Sequence, residues 1–178
     1  LFALIGTTIQ VEAQVNVGFT QRTSQYSPTK KIYTVKGDFA MLGNTCLTPQ
    51  NYAVDQNNNG QYMTYIDADN DPNTWNSSSS TLTLSTENGA VPSCSNIVYA
   101  GLYWTGRSNS ANVFNVTKNG VTKSFNKRVV KLKGPAASGY TEITAGTNDI
   151  YYPTNTDDYI YAAYAEVTDY VRTNGIGQ

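Results

Sequence analysis

NIVYAGLYWTG, residues 96–106, is the most hydrophobic stretch of the chain beyond residue 13. A continuous apolar run between turn signals reads as a strand buried on both faces, in the middle of a sandwich. Trp104, with its apolar neighbours, reads as core. Gly101 inside the run signals a bulge or a close backbone approach.

Further strands follow on the C-terminal side. NVFNVTKNGVTKSF (112–125) is a hairpin with Asn119-Gly120 as its two-residue turn, since both residues tolerate the positive φ that such turns need. KRVVKLKG is another strand, and six of the twelve Lys and Arg lie between Lys118 and Lys133. They read as a solvated strand face rather than an anion site. Tyr159 to Val167 alternates as a strand, after which Thr168 or Asp169 caps a helical turn ended by Gly175.

On the N-terminal side, VNVGFTQRTS is a short alternating strand and Ile32, Tyr33 and Val35 suggest another. Residues 46–60 read as loop, because Pro49 and the Asn run at 57–59 resist regular pairing. QYMTYID is a strand, and STLTLS a further one. Many short strands at roughly even spacing predict an all-β, mostly antiparallel β-sandwich, of jelly-roll or immunoglobulin-like type.

The 178 residues have room for a single domain and a sizeable core. A net charge of −1 suggests no nucleic acid and no anionic membrane as partner. The 14 Tyr, with much Thr, Asn, Ser and Gly, favour strands and turns. Histidine is absent, which removes the commonest general base and every imidazole metal site. With no phosphate loop or paired catalytic groups either, the chain reads as a non-enzyme.

LFALIGTTIQVEAQ reads as the end of a secretory signal peptide, with small residues placed for a cut before Gln14; the alternative is a buried strand. The stretch is too short to span a bilayer, which needs roughly 20 apolar residues. The division is therefore a signal remnant over 1–13 and one sandwich domain over 14–178, cut short at its C-terminal end. Export would make Cys46 and Cys94 a disulfide closing a long loop, the alternative being two free thiols.

In DADNDPNTW, residues 67–75, Asp67, Asp69 and Asp71 open like a calcium loop, where alternating carboxylates meet one hard cation. The EF-hand pattern then fails, because its sixth position is Pro72 and its twelfth is Ser78. A looser calcium site competes with an Asx-turn, in which the carboxylates accept backbone N–H groups. Apart from calcium, no cofactor is indicated. Trp75, Trp104, Tyr151 and Tyr152 are aromatics that stack on sugars in other settings. Trp75, in its polar loop, is the candidate ligand contact, with packing against its own turn as the competing role.

Four blocks in order, VKGDFAMLGNT, YIDADNDPNTWNSSSSTLTL, SNIVYAGLYWTGR and YAEVTDYVRTNGIGQ, resemble the N-terminal region of large Bacteroidota surface proteins. Those proteins are adhesin-like, exported by type IX secretion, and include relatives of the mobile gliding-motility adhesin. The resemblance spans residues 34–178 and implies an extracellular, cell-surface domain that contacts a glycan or other surface ligand without catalysis. It carries over no active-site residues. A carbohydrate-binding module attached to a secreted hydrolase is the alternative.

Overall fold

The computed structural model describes residues 20–108, 111–152 and 159–175. Among these residues nine strands and one α-helix follow in chain order: β1 (Leu47–Pro49), β2 (Met63–Tyr65), β3 (Gly101–Arg107), β4 (Val113–Lys118), β5 (Val121–Asn126), β6 (Val129–Leu132), β7 (Thr141–Thr144), β8 (Ile150–Tyr151), β9 (Ile160–Glu166) and α1 (Thr168–Asn174). Every strand pairing is antiparallel, so the chain is all-β with a short terminal helix.

The strands form four small sheets, β1–β2, β3–β9–β8, β4–β5 and β6–β7. The all-β, antiparallel expectation is borne out, while the pairings among the described residues do not establish a sandwich. The apolar run lies in β3, yet β3 is an edge strand and not a central one. Among the described residues it pairs only with β9, from Gly101↔Glu166 to Arg107↔Ile160. Its residues alternate in exposure, and Tyr103 is 71% exposed. Gly101 makes the close approach expected of it without a bulge: a Cβ there would lie 3.1 Å from the Tyr164 ring.

The middle position belongs to β9. Its alanines accommodate larger neighbours, with Ala163 opposite both Trp104 on β3 and Ile150 on β8. Ala163, Tyr164, Ala165 and Val167, joined by Ala145, are the buried apolar side chains. Beyond β9 the chain turns into α1. Thr168 does not cap this helix; Val167 holds the cap position without a side-chain bond. Thr168 is instead fully buried, accepting the Ala100 N–H at 3.1 Å and donating to Glu166 Oε1 at 2.8 Å.

Polar links fasten other segments to this centre. Glu166 accepts Ser24 Oγ at 2.5 Å and the Gln25 N–H at 3.0 Å, and Arg22 pairs with Asp149. Burial alone would raise the Glu166 pKa, but the bonds from Ser24, Gln25 and Thr168 outweigh it and hold the carboxyl below its usual range. Arg172 donates to Ile97 O at 2.8 Å, and Tyr170 donates to Leu132 O at 3.1 Å while accepting the Gly134 N–H at 2.8 Å. Lys127 is 1% exposed and its Nζ has no hydrogen-bond partner among the described residues. The ammonium lies 5.3 Å and 5.6 Å from the centres of the Tyr152 and Tyr161 rings, so aromatic faces replace acceptors.

Several local expectations change. Ile32 to Val35 and STLTLS form no strand. Ile32 is 71% exposed and Met41 88%, because no neighbouring strand among the described residues supplies hydrogen bonds or a covering face. Conversely, β1 lies inside the expected loop at 46–60. Pro49 is tolerated because it ends the strand, where its missing N–H breaks no ladder. Cys46 and Cys94 are free thiols, not a disulfide. The Cys46 sulfur sits 3.3 Å from Ser78 Oγ beside β1, while Cys94 ends a separate 3-10 turn and is exposed. The signal-peptide reading of 1–13 and the first half of VNVGFTQRTS, residues 15–19, lie outside the described residues, and its second half, 20–24, forms no strand.

Candidate functional site

The acidic turn begins where β2 ends. Ser77 N–H bonds Ile66 O at 2.8 Å and Ala68 N–H bonds Ser77 O at 3.3 Å, closing residues 67–77 into a loop. Ser77 Oγ is the hub. It accepts the Ala68 and Asp69 N–H groups at 2.8 and 3.2 Å and donates to Asp69 Oδ1 at 2.6 Å.

Each of the three aspartates serves donors of its own. Asp67 Oδ1 accepts the Asn70 N–H at 3.1 Å, and Asp71 Oδ1 accepts the Asn73 N–H and Nδ2, each at 2.8 Å. Asp69 takes Ser77 on one oxygen and the Tyr140 hydroxyl on the other. These bonds, Ser77 first and Tyr140 second, hold the Asp69 pKa far below the usual carboxylate range. The same bond pushes Tyr140 up to about 12. The geometry is that of linked Asx-turns. Among the described residues, no group of three or more His, Cys, Asp or Glu is placed to hold a metal ion.

The far end of the turn lies against the β4–β5 hairpin. The hairpin has the expected Asn-Gly turn, with φ of 51° at Asn119 and 77° at Gly120. Its register places Phe114, Val116 and Lys118 opposite Phe125, Lys123 and Val121 on one face. Trp75 packs onto that face, its ring centre 5.5 Å from that of Phe125, which in turn stacks on Phe114 at 5.9 Å. Lys123 Nζ lies 5.4 Å from the Trp75 ring centre and donates to Asn73 O at 3.0 Å, bracketing turn to hairpin. Trp75 thus packs against the hairpin, where packing against its own turn was the expected alternative.

Trp75 also lines an open groove of about 260 Å³. Pro72, Thr74 and Trp75 form one wall, and Lys118, Asn119, Val121 and Lys123 the other. Of these residues only Trp75 stood out in the sequence as a ligand contact. The hairpin's period-two pattern already put Lys118, Val121 and Lys123 on one face. That the acidic turn, about fifty residues earlier, docks there had no local signal. The other proposed aromatics lie elsewhere: Trp104 is half-buried and donates from Nε1 to Lys127 O at 2.9 Å, and Tyr152 bonds Asn112.

A second titratable cluster lies across the β3–β9 pair. The Tyr99 and Tyr164 hydroxyls are 2.5 Å apart, and the Arg22 guanidinium lies 4.4 Å from the Tyr164 ring centre. Burial, followed by the bond to Tyr99, pushes the Tyr164 pKa far up, and burial raises Tyr99 as well. Both phenols are therefore held protonated, which suits a packed contact better than proton transfer. No helix among the described residues is long and apolar enough to cross a membrane. Comparison with protein-family models, with curated proteins and with solved structures finds no match for this chain.

Proposed function

We propose that this chain is a non-catalytic, extracellular domain of a cell-surface adhesin of the gliding-associated kind, and that it works by multivalent contact with a glycan or similar surface ligand. The observation that carries the reading is the groove beside Trp75. It joins an aromatic wall, two ammonium groups and an amide in an open trough too shallow to enclose a reacting substrate. The perturbed groups point the same way, since Tyr99, Tyr140 and Tyr164 move away from the range useful for acid–base work at neutral pH. The resemblance of the four sequence blocks supplies the surface location.

A single shallow groove gives weak binding, whereas linked copies raise the effective concentration without improving any one site. The purified domain should bind surface glycans weakly in solution and firmly when displayed on beads. Turnover of glycans or peptides by the purified domain, abolished by one Asp or Tyr substitution, would replace this reading with an enzyme. Trp75 also fits a carbohydrate-binding module of a hydrolase. A catalytic domain encoded in the same reading frame would favour that version.

A further inference from the structure

The two lysines of the groove are not equivalent. Lys123 gives its protons to Asn73 O at 3.0 Å and Pro72 O at 3.4 Å, and so is part of the scaffold. Lys118 lines the same groove, its Nζ 5.5 Å from the Tyr65 ring centre, and bonds to no acceptor among the described residues. Beside it, Asn119 occupies the exposed hairpin turn with its side-chain amide likewise unbonded to any described residue. No carboxylate is among the lining residues.

We propose that this groove holds an anionic sugar residue of a polysaccharide, with Lys118 reading the negative group; the inference rests on the glycan-contact reading above. The chemistry divides among the walls. The Trp75 edge and Val121 offer apolar surface to the carbon face of a pyranose. Asn119 can donate to and accept from ring hydroxyls, and the Lys118 ammonium meets a carboxylate or sulfate. A neutral sugar would offer that ammonium no opposite charge. The volume suits one small unit of a chain rather than a large ligand. A nucleic acid, the other polyanion that stacks on aromatics, fits less well. Phe125 and Lys123 crowd the Trp75 ring, and the net charge of the chain is −1.

The test uses bead-displayed protein and two matched pairs: polygalacturonate with its methyl ester, and dextran sulfate with dextran. The inference expects the anionic member of at least one pair to bind better, and which pair responds separates carboxylate from sulfate. Lys118→Met should weaken that binding about fivefold per site, the upper range for an exposed ion pair. Added salt should weaken wild-type binding more than that of the variant. Lys36→Met removes an equal charge outside the groove and should leave binding unchanged. Circular dichroism should show Lys118→Met folded as the wild type. Equal binding of both members of each pair, or equal losses in the two lysine variants, would overturn the anionic site and leave a neutral-glycan contact standing. Failure to bind any saccharide on beads would remove the glycan reading itself. Tighter binding to a dT20 oligonucleotide than to every saccharide would also overturn the proposal.

Discussion

Two apolar regions of the chain have opposite fates. The paired strands β3 and β9 hold most of the buried side chains in their neighbourhood, whereas Ile32, Val35, Phe39, Met41 and Leu42 remain exposed in irregular chain. Apolar side chains alone do not decide between these outcomes. The C-terminal stretches find each other: β3 and β9 pair over seven residues, and Glu166, Thr168 and Arg172 then tie α1 and the 97–100 segment to that ladder. The N-terminal stretch has no such partner among the described residues. Apolar side chains are buried only when backbone polar groups are satisfied at the same time, and a lone strand cannot do that.

The comparison can be broken most forcefully where the C-terminal region is tightest. A Cβ at position 134 would collide with the backbone carbonyl of Asn174 at the end of α1. Gly134→Ala should therefore cost about 3 kcal/mol, the upper part of the overpacking range. At about 2–4 °C per kcal/mol for a chain of this size, the melting temperature should fall by roughly 6–12 °C. Gly43→Ala, where a Cβ meets nothing within 4 Å, should move it by less than about 1 °C. Equal shifts in the two variants would erase the distinction between the regions.

Next in size is Thr168→Val, which keeps the buried shape but removes the hydroxyl that serves Ala100 and Glu166. A buried N–H left without its acceptor costs about 1–3 kcal/mol, measurable by urea denaturation. A variant as stable as the wild type would show that the tie is dispensable.

A pH series sharpens the same contrast. The folded Glu166 carboxyl has a depressed pKa, so its contribution is present above the unfolded value of about 4.3 and is lost as pH falls through the folded value. Glu166→Gln should lower stability at pH 7 yet flatten the decline below about pH 4.3. A decline as steep as the wild type's would reassign it to other acids, Asp69 first.

In the acidic turn the readable change is alkaline. The Tyr140 pKa is raised to about 12, so its bond to Asp69 stabilises fully below the unfolded value near 10 and is lost as pH rises through 12. Absorbance at 295 nm should show one tyrosine titrating late, and Asp69→Asn should bring it back toward 10. The smallest effect expected is from calcium. Because each of the three carboxylates is already engaged by protein donors, Asn70 on Asp67, Tyr140 on Asp69 and Asn73 on Asp71, with Ser77 bridging the first two, millimolar calcium should leave the melting temperature unmoved. A rise would mean that the aspartates reorganise around an ion, since a ligand selective for the folded state must stabilise it.

The sequence by itself determined the antiparallel all-β class, the Asn119-Gly120 hairpin and the C-terminal strand followed by a helical turn, and at Gly101 it offered a close backbone approach as one of two readings. These depend on local geometry: the φ that a turn demands, the period of a pleat, the absence of a Cβ. Only the tertiary structure decided that β9 and not β3 lies between two strands, that Cys46 and Cys94 remain apart, and that Trp75 meets Lys118 and Lys123 across a groove. Each of those outcomes depends on which distant segment supplies the missing hydrogen bonds or the covering face. Residues such as Trp104 and Met41 carry the same apolar signal in the chain, and their different fates follow from the partner that Trp104 has and Met41 lacks.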